Sequence, residues 1–237
     1  MQLHEISEHN TKIWVSDNVY SDFQQDWFER TQSPSESSVN QWQSGRQSIV
    51  RFKVGANNMV MRHYCRGGLP ARFSKDKFVF RGFESSRPFR ELNLLMQMRQ
   101  LELPVPEPIA ARCIRKGALY HADIIMDEIV NSKTLAQVMT ENTQRKEWWM
   151  KVGKIIMSFH HQGIQHVDLN TNNILFDQAG NIYLIDFDRC VQRPYSQAWA
   201  QVGLNRLKRS LEKQKQNNSN TCYQQSDFES LMQGYQD

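Results

Sequence analysis

Short apolar runs alternate with turn-forming residues in the first half of the chain, a pattern typical of an antiparallel sheet. The runs QSIVRFKV, NNMVMRHY and KFVFRGF follow one another from residue 47, and LYHADIIMDEIV comes later. The segment VGANN between the first two runs predicts a tight hairpin. After Pro88, FRELNLLMQMRQLEL has apolar residues at helical spacing, which predicts an amphipathic helix of about three turns.

The second half of the chain has mainly helical periodicity. EWWMKVGKIIMSFHHQG predicts a long buried helix that ends at Gly163. NILF and IYLID, joined by DQAGN, predict a second hairpin. This order predicts an α+β, two-lobed fold: an antiparallel β-rich N-lobe of about residues 1–126 with one helix, a hinge at about 127–133, and a mainly helical C-lobe at about 134–237. Ligand sites favour the cleft between such lobes.

Composition and cysteine placement exclude several classes of protein. The 237 residues are 39% hydrophobic and 23% charged, which is typical of a globular chain. The chain contains no run of 18 apolar residues, so we expect no membrane-spanning helix. The first residues do not resemble a secretory signal. The four cysteines are far apart and form no CxxC motif. We therefore expect neither a disulfide scaffold nor a structural zinc site.

Two basic blocks lie in an otherwise acidic chain. Residues 45–99 contain 12 basic and 3 acidic residues, and residues 189–215 contain 7 and 1. Such blocks predict an anionic partner, which could be a phosphorylated substrate, a membrane surface or a nucleic acid. Within the second block, residues 199–215 have leucines on one helical face. This favours a core helix with a basic outer surface over an interfacial membrane helix.

The segment HVDLNTNNILFDQAGNIYLIDFD, residues 166–188, has the parts needed for phosphoryl transfer. That reaction needs a carboxylate to orient the acceptor hydroxyl and oxygen ligands to hold Mg²⁺ against the phosphates. Asp168 can supply the carboxylate, while Asn173 and Asp186 can converge on one metal ion. We expect His166 to brace the backbone rather than to act in catalysis. Asp188 could help with the metal or brace the loop.

The same segment resembles the protein-kinase-like fold. HVDLNTNN is similar to the kinase catalytic loop H-x-D-L-x-x-x-N, and DFD stands where kinases have DFG. The resemblance implies that Asp168 is the catalytic base and that Asn173 and Asp186 are Mg²⁺ ligands.

Other residues acquire expected roles from this resemblance. Gly45, in WQSGRQSIVRF, would let the backbone approach the phosphates of ATP. Arg62 stands where kinases have a phosphate-binding lysine, and Glu91 would be its partner. Backbone groups from Asp127 to Ile129 would bind adenine.

Several segments resemble one bacterial kinase family. MRHYCRGGLPARF, FRELNLLMQMRQLELPVPEPIAAR, YLIDFDRC and NRLKRSLEK are similar to the 3-deoxy-D-manno-octulosonic acid (Kdo) kinases, which are relatives of the lipopolysaccharide core heptose kinases. The resemblance covers most of residues 42–215. It implies phosphorylation of the Kdo 4-hydroxyl on Kdo-lipid A at the cytoplasmic face of the bacterial inner membrane. Arg66 and Arg72 would bind the anionic substrate, and the basic clusters would attract the anionic membrane surface.

Three alternatives remain open. A different lipopolysaccharide-core or small-molecule sugar kinase, of the heptose kinase type, would keep the same three site residues. A protein kinase is disfavoured, since only 49 residues follow DFD and they contain no APE segment. A pseudokinase that binds anionic lipid would not need three oxygen ligands. We expect no nucleic-acid partner, because aromatic residues do not interleave with the basic block, and we predict no protein partner.

Overall fold

The computed structural model of the chain describes residues 2–29, 42–44, 47–65, 76–141 and 146–237. The chain forms two compact units. The first comprises Met1–Gln100 with Pro106–Glu128, and the second comprises Leu101–Val105 with Ile129–Asp237. The change of unit after Glu128 falls inside the segment predicted as a hinge. The segment Leu101–Val105 belongs to the second unit, where the carbonyl of Pro104 accepts a hydrogen bond from the backbone of Leu184.

The first unit is built on an antiparallel sheet. Its strands are β1 (Leu3–Glu8), β2 (Thr11–Ser16), β3 (Trp42–Ser44), β4 (Gln47–Val54), β5 (Asn57–His63), β6 (Phe78–Val79), β7 (Pro108–Lys116) and β8 (Leu119–Asp127). They lie in the order β1-β2-β7-β8-β5-β4-β3, and β6 pairs with β8. The β4–β5 hairpin confirms the turn predicted at VGANN. The run KFVFRGF, in contrast, contributes only the two residues of β6.

Both faces of this sheet are covered. The long helix α1 (Arg87–Gln100) packs on one face, where the ring of Phe89 lies 4.9 Å from that of Trp14 in β2. Side chains alternate along a strand. The neighbour of Trp14, Val15, therefore faces the other side, where it packs in the core that contains Trp27 and Phe28. The N-terminal segment thus forms part of the core of the unit.

The second unit is mainly helical. Its elements are β9 (Lys133–Thr134), α2 (Leu135–Val138), α3 (Lys146–His161), β10 (Ile164–Gln165), β11 (Ile174–Phe176), β12 (Ile182–Leu184), β13 (Val191–Gln192), α4 (Gln197–Asn217) and α5 (Gln225–Gln236). Strands β11 and β12 form the predicted second hairpin, and β9 pairs with β11. The helices α3 and α4 were also predicted, whereas α5 was not.

Helices α3 and α5 approach each other closely through glycine. A Cβ atom on Gly153 of α3 would lie 2.0 Å from the carbonyl oxygen of Leu231, and one on Gly234 of α5 would lie 2.1 Å from the carbonyl oxygen of Met150. Two helices can pack backbone against backbone only where side chains are absent. The contact therefore requires glycine at both positions.

Helix α4 is a core helix of the second unit. Its buried residues, Trp199, Ala200, Leu204, Leu207 and Leu211, follow the predicted apolar face. This confirms the prediction of a core helix with a basic outer surface. Among the described residues, no helix combines the length and the apolar character needed to cross a membrane.

Candidate active site

The loop between β10 and β11 is braced by a buried histidine. The ring of His166 makes two hydrogen bonds: Nε2 pairs with the carbonyl oxygen of Ile185 at 3.0 Å, and Nδ1 accepts from the backbone N–H of Asp168 at 3.2 Å. This pattern requires a neutral ring with its proton on Nε2. Burial lowers the pKa of His166, which favours the same neutral form. The prediction that His166 braces the backbone is confirmed.

Asn173 connects this loop to the hairpin. Its side-chain Nδ2 donates to the backbone carbonyl of Asp168 at 2.9 Å. The backbone carbonyl of Asn173 accepts from the backbone N–H of Ile185 at 3.1 Å. Because Nδ2 is directed to the loop, Oδ1 is the amide atom that could ligate a cation. Asn173 is 8% exposed, so its position is set by packing as well as by these bonds.

Asp186 follows β12 in an uncommon backbone conformation. Its φ is +64°, in the left-handed region that aspartate tolerates better than most residues. Because Asn173 pairs with Ile185, Asp186 lies one residue beyond that pair at the same end of the hairpin. Asn173 and Asp186 offer amide and carboxylate oxygens, the hard ligands that suit Mg²⁺. Asp188, two residues later, is half-buried, and its role stays a prediction.

One face of α4 contacts the loop between β10 and β11, and the sequence did not predict these contacts. Arg206 Nη1 donates to Oδ1 of Asp168 at 3.0 Å, and both side chains are about half exposed. One turn further, the Ser210 hydroxyl lies 2.9 Å from the Thr171 hydroxyl and accepts from the Thr171 backbone N–H at 3.2 Å. The spacing of four residues between Arg206 and Ser210 indicates that both lie on one face of a helix. Nothing in the sequence, however, indicated which segment this face would meet.

Arg62 and Glu91 form a buried ion pair in the first unit. Their side chains are 5% and 1% exposed, and Nη2 of Arg62 contacts Oε2 of Glu91. The Tyr64 hydroxyl donates to the same oxygen at 2.5 Å, and the Tyr64 ring lies 4.8 Å from the guanidinium carbon of Arg62. The expected pairing between β5 and α1 is therefore present. Whether Arg62 binds phosphate stays a prediction.

The positions of the remaining expected site residues do not test their expected roles. Asp127 ends β8, where its backbone N–H donates to the carbonyl of Glu107 at 2.9 Å. Burial, followed by the nearby Glu107 carboxylate, raises the pKa of the Asp127 carboxyl, and the Arg99 guanidinium partly offsets this. Ile129 begins the main segment of the second unit. The expected site residues Gly45, Arg66 and Arg72 lie outside the described residues.

A braced carboxylate loop and a hairpin followed by an aspartate in the second unit, with an arginine–glutamate pair between a strand and a helix in the first, are features of a kinase-like phosphotransferase. The sequence model of the lipopolysaccharide kinase (Kdo/WaaP) family matches residues 31–235. The chain therefore belongs to the lipopolysaccharide kinase (Kdo/WaaP) family.

Individual relatives agree with this assignment. A 3-deoxy-D-manno-octulosonic acid kinase of Vibrio vulnificus (strain YJ016) is 37% identical over 196 residues, which cover 81% of each chain. The protein of the same name from Stenotrophomonas maltophilia (strain K279a) is 42% identical over 169 residues, covering 71% of this chain and 68% of the relative. That of Haemophilus influenzae (strain ATCC 51907 / DSM 11121 / KW20 / Rd) is 42% identical over 163 residues, covering 66% and 67%.

Proposed function

We propose that this protein transfers the γ-phosphoryl group of ATP to the 4-hydroxyl of a Kdo residue on Kdo-lipid A, in the inner core of lipopolysaccharide. The observation that carries the proposal is the loop that presents Asp168. It is braced by His166 and Asn173 on one side and contacted by Arg206 on the other. The relatives named as kinases of this sugar acid supply the substrate class.

Each of the main site residues has one task in this proposal. Asp168 orients the acceptor hydroxyl and accepts its proton as the oxygen attacks. Asn173 and Asp186 would hold Mg²⁺, which neutralises charge on the phosphates when bound. Arg62, kept in place by Glu91, pairs with phosphate oxygens of ATP.

Arg206 suits an acidic acceptor. The Kdo sugar has a carboxylate of its own, so an enzyme that brings it to Asp168 must offset repulsion between two like charges. Arg206 already lies 3.0 Å from the Asp168 carboxylate through its Nη1 atom. Its fork of five N–H donors can serve a second carboxylate as well. We assign Arg206 a place in acceptor binding, together with the expected cations Arg66 and Arg72.

We also propose a peripheral position at the cytoplasmic face of the inner membrane. Exposed cations on α4, such as Arg209 and Lys213, are available to anionic headgroups. Each basic residue near such a surface contributes about 1 kcal/mol. Flotation with vesicles tests this: binding to phosphatidylglycerol vesicles that disappears with pure phosphatidylcholine supports the proposal, and equal behaviour with both vesicles contradicts it.

The decisive test of the reaction is Mg²⁺-dependent ATP consumption with and without Kdo-lipid A, followed by mass spectrometry of the lipid. We expect one added phosphate, assigned to O4 by NMR, and loss of nearly all turnover in Asp168→Asn with ATP binding retained. Phosphorylation of a heptose-containing acceptor instead of Kdo-lipid A would keep the kinase class and reject this substrate. Near-normal turnover in Asp168→Asn would reject the role of the base.

A further inference from the structure

Two histidines and an aspartate meet on the sheet face that lies away from Arg62. His63 ends β5, His121 lies in β8, and Asp76 precedes β6. Side chains alternate along a strand, so His63 lies on the face opposite to its neighbour Arg62. It shares its face with Asp123, which is directly across from it on β8. The cluster is therefore separate from the ion pair assigned to nucleotide phosphates.

The distances within this cluster fit a metal ion. Oδ2 of Asp76 lies 2.9 Å from Nδ1 of His121 and 3.6 Å from Nε2 of His63. One ligand atom from each of the three residues lies within 4.8 Å of the others. Zinc bonds of about 2.0–2.2 Å in a tetrahedron place neighbouring ligand atoms about 3.3 Å apart. The two distances from Oδ2 of Asp76, 2.9 Å to His121 and 3.6 Å to His63, lie on either side of that value.

A second carboxylate fixes the orientation of His63. Its Nδ1 lies 2.6 Å from Oδ1 of Asp123, whose side chain is 7% exposed. Arg112 binds the other oxygen of Asp123 through Nε at 3.0 Å and Nη2 at 2.9 Å. Nδ1 therefore donates its proton to Asp123, and Nε2 is directed toward Asp76, where the neutral ring would present a lone pair to a cation. Two acceptors at this separation repel unless a proton or a cation lies between them, and metal-binding histidines regularly have such a carboxylate behind them.

Charge on this face also favours a divalent cation. The carboxylates of Glu29 and Asp123 bind the guanidinium of Arg112, and the carboxylate of Asp76 contacts the two histidines. With both histidines neutral, as metal ligands must be, the group has two negative charges in excess. One divalent ion balances that excess.

We propose that His63, Asp76 and His121 bind Zn²⁺ or a related borderline transition-metal ion. Two imidazoles and one carboxylate suit such ions, whereas Mg²⁺ prefers oxygen ligands. The three side chains are between 13% and 37% exposed, which leaves room for a water as fourth ligand. The widely spaced cysteines led us to expect no structural zinc site. These ligands are instead brought together by strand pairing, and the ion stabilises the first unit without acting in phosphoryl transfer.

Metal binding is tested on full-length protein without an affinity tag, stripped with a chelator and desalted. We expect one Zn²⁺ per chain by isothermal titration calorimetry. We also expect a tetrahedral Co²⁺ absorption spectrum that Zn²⁺ abolishes and millimolar Mg²⁺ does not. The thermal unfolding temperature should rise with added Zn²⁺. A wild-type protein that takes up no stoichiometric Zn²⁺ or Co²⁺ would overturn the proposal and leave a protonated ion-pair network in its place.

Substitutions locate the site. His121→Ala should weaken Zn²⁺ binding by at least about 100-fold, and Asp123→Asn, which removes the carboxylate behind His63 and its ion pair with Arg112, by about 10–100-fold. His161→Ala, an exposed histidine of the second unit, is the matched control and should bind as wild type. Should circular dichroism show that His121→Ala is unfolded, Asp76→Asn, at the most exposed ligand, replaces it. Unchanged affinity in a folded ligand variant contradicts the assignment.

Discussion

Arg206 of α4 donates from Nη1 to Oδ1 of Asp168 at 3.0 Å, across 38 residues of sequence. Both side chains are about half exposed. An exposed ion pair of this kind contributes little to stability, about 0–1 kcal/mol. Its importance in our proposal is positional, because it directs the carboxylate that must meet the acceptor hydroxyl.

We expect Arg206→Ala to reduce kcat/KM for Kdo-lipid A by about 10–100-fold, corresponding to about 1.4–2.8 kcal/mol. The KM for ATP should change little, because Arg206 is assigned to the acceptor. Steady-state kinetics with each substrate varied in turn measures both constants. The control is Lys151→Ala, an exposed cation of α3 to which no part in acceptor or membrane binding is assigned. An equal loss in both variants would indicate a general effect of surface charge.

The buried pair of Arg62 and Glu91 should be costly to break on one side. Glu91→Leu leaves the Arg62 guanidinium buried without its carboxylate, and we expect a loss of about 3–5 kcal/mol in the free energy of unfolding. The double variant Arg62→Met/Glu91→Leu should recover much of that loss, since neither charge then remains buried. Urea unfolding measures all three proteins.

The same double variant separates stability from chemistry. If Arg62 pairs with the phosphates of ATP, the recovered stability must come without recovered turnover. Wild-type turnover in a stable double variant would show that Arg62 serves the fold alone.

The stability of the second unit should fall in mild acid because of His160. Burial lowers the pKa of this histidine to about 4, from an ordinary value of 6.5, and its Nδ1 lies 2.7 Å from the Tyr235 hydroxyl. The unfolded chain therefore takes up a proton at a higher pH than the folded one. The stabilising contribution is complete above pH 6.5 and is lost as the pH falls toward 4, by at most about 3 kcal/mol.

Urea unfolding between pH 7 and pH 4 tests this contribution. His160→Gln should lose less stability over that range than the wild type, and the exposed neighbour variant His161→Gln should follow the wild-type curve. The pKa of His166 is lowered as well, so both variants retain part of the acid sensitivity. Identical curves for wild type and His160→Gln would contradict the prediction.

Helix α5 should depend on the absence of a side chain at residue 153. In Gly153→Ala the new Cβ would lie 2.0 Å from the carbonyl oxygen of Leu231, so the helices must separate. We expect a loss of about 3 kcal/mol or more, as for severe overpacking. Gly203→Ala is the control, because its Cβ would meet nothing nearer than 3.9 Å and should change stability by no more than about 1 kcal/mol. Chemical denaturation of both variants gives the comparison.

The parts of the fold that were predicted are those with a strong local signal. The β4–β5 hairpin follows from alternation around VGANN, and α3 and α4 follow from helical periodicity. Strand β7 was not predicted, because Pro104, Pro106 and Pro108, the last of which begins the strand, indicated only the end of a helix. The N-terminal strands were also missed, since β2 is completed by pairing with β7, far away in sequence.

The sequence by itself determined which groups are available for chemistry. The spacing of Asp168, Asn173 and Asp186 was visible because loop and hairpin are consecutive in the chain. Tertiary structure alone decided that Arg206 reaches Asp168 and that His63, Asp76 and His121 share a face. Periods of 2 and 3.6 residues report which side of an element a residue occupies. They contain no information on which distant surface that side will meet, and packing makes that choice.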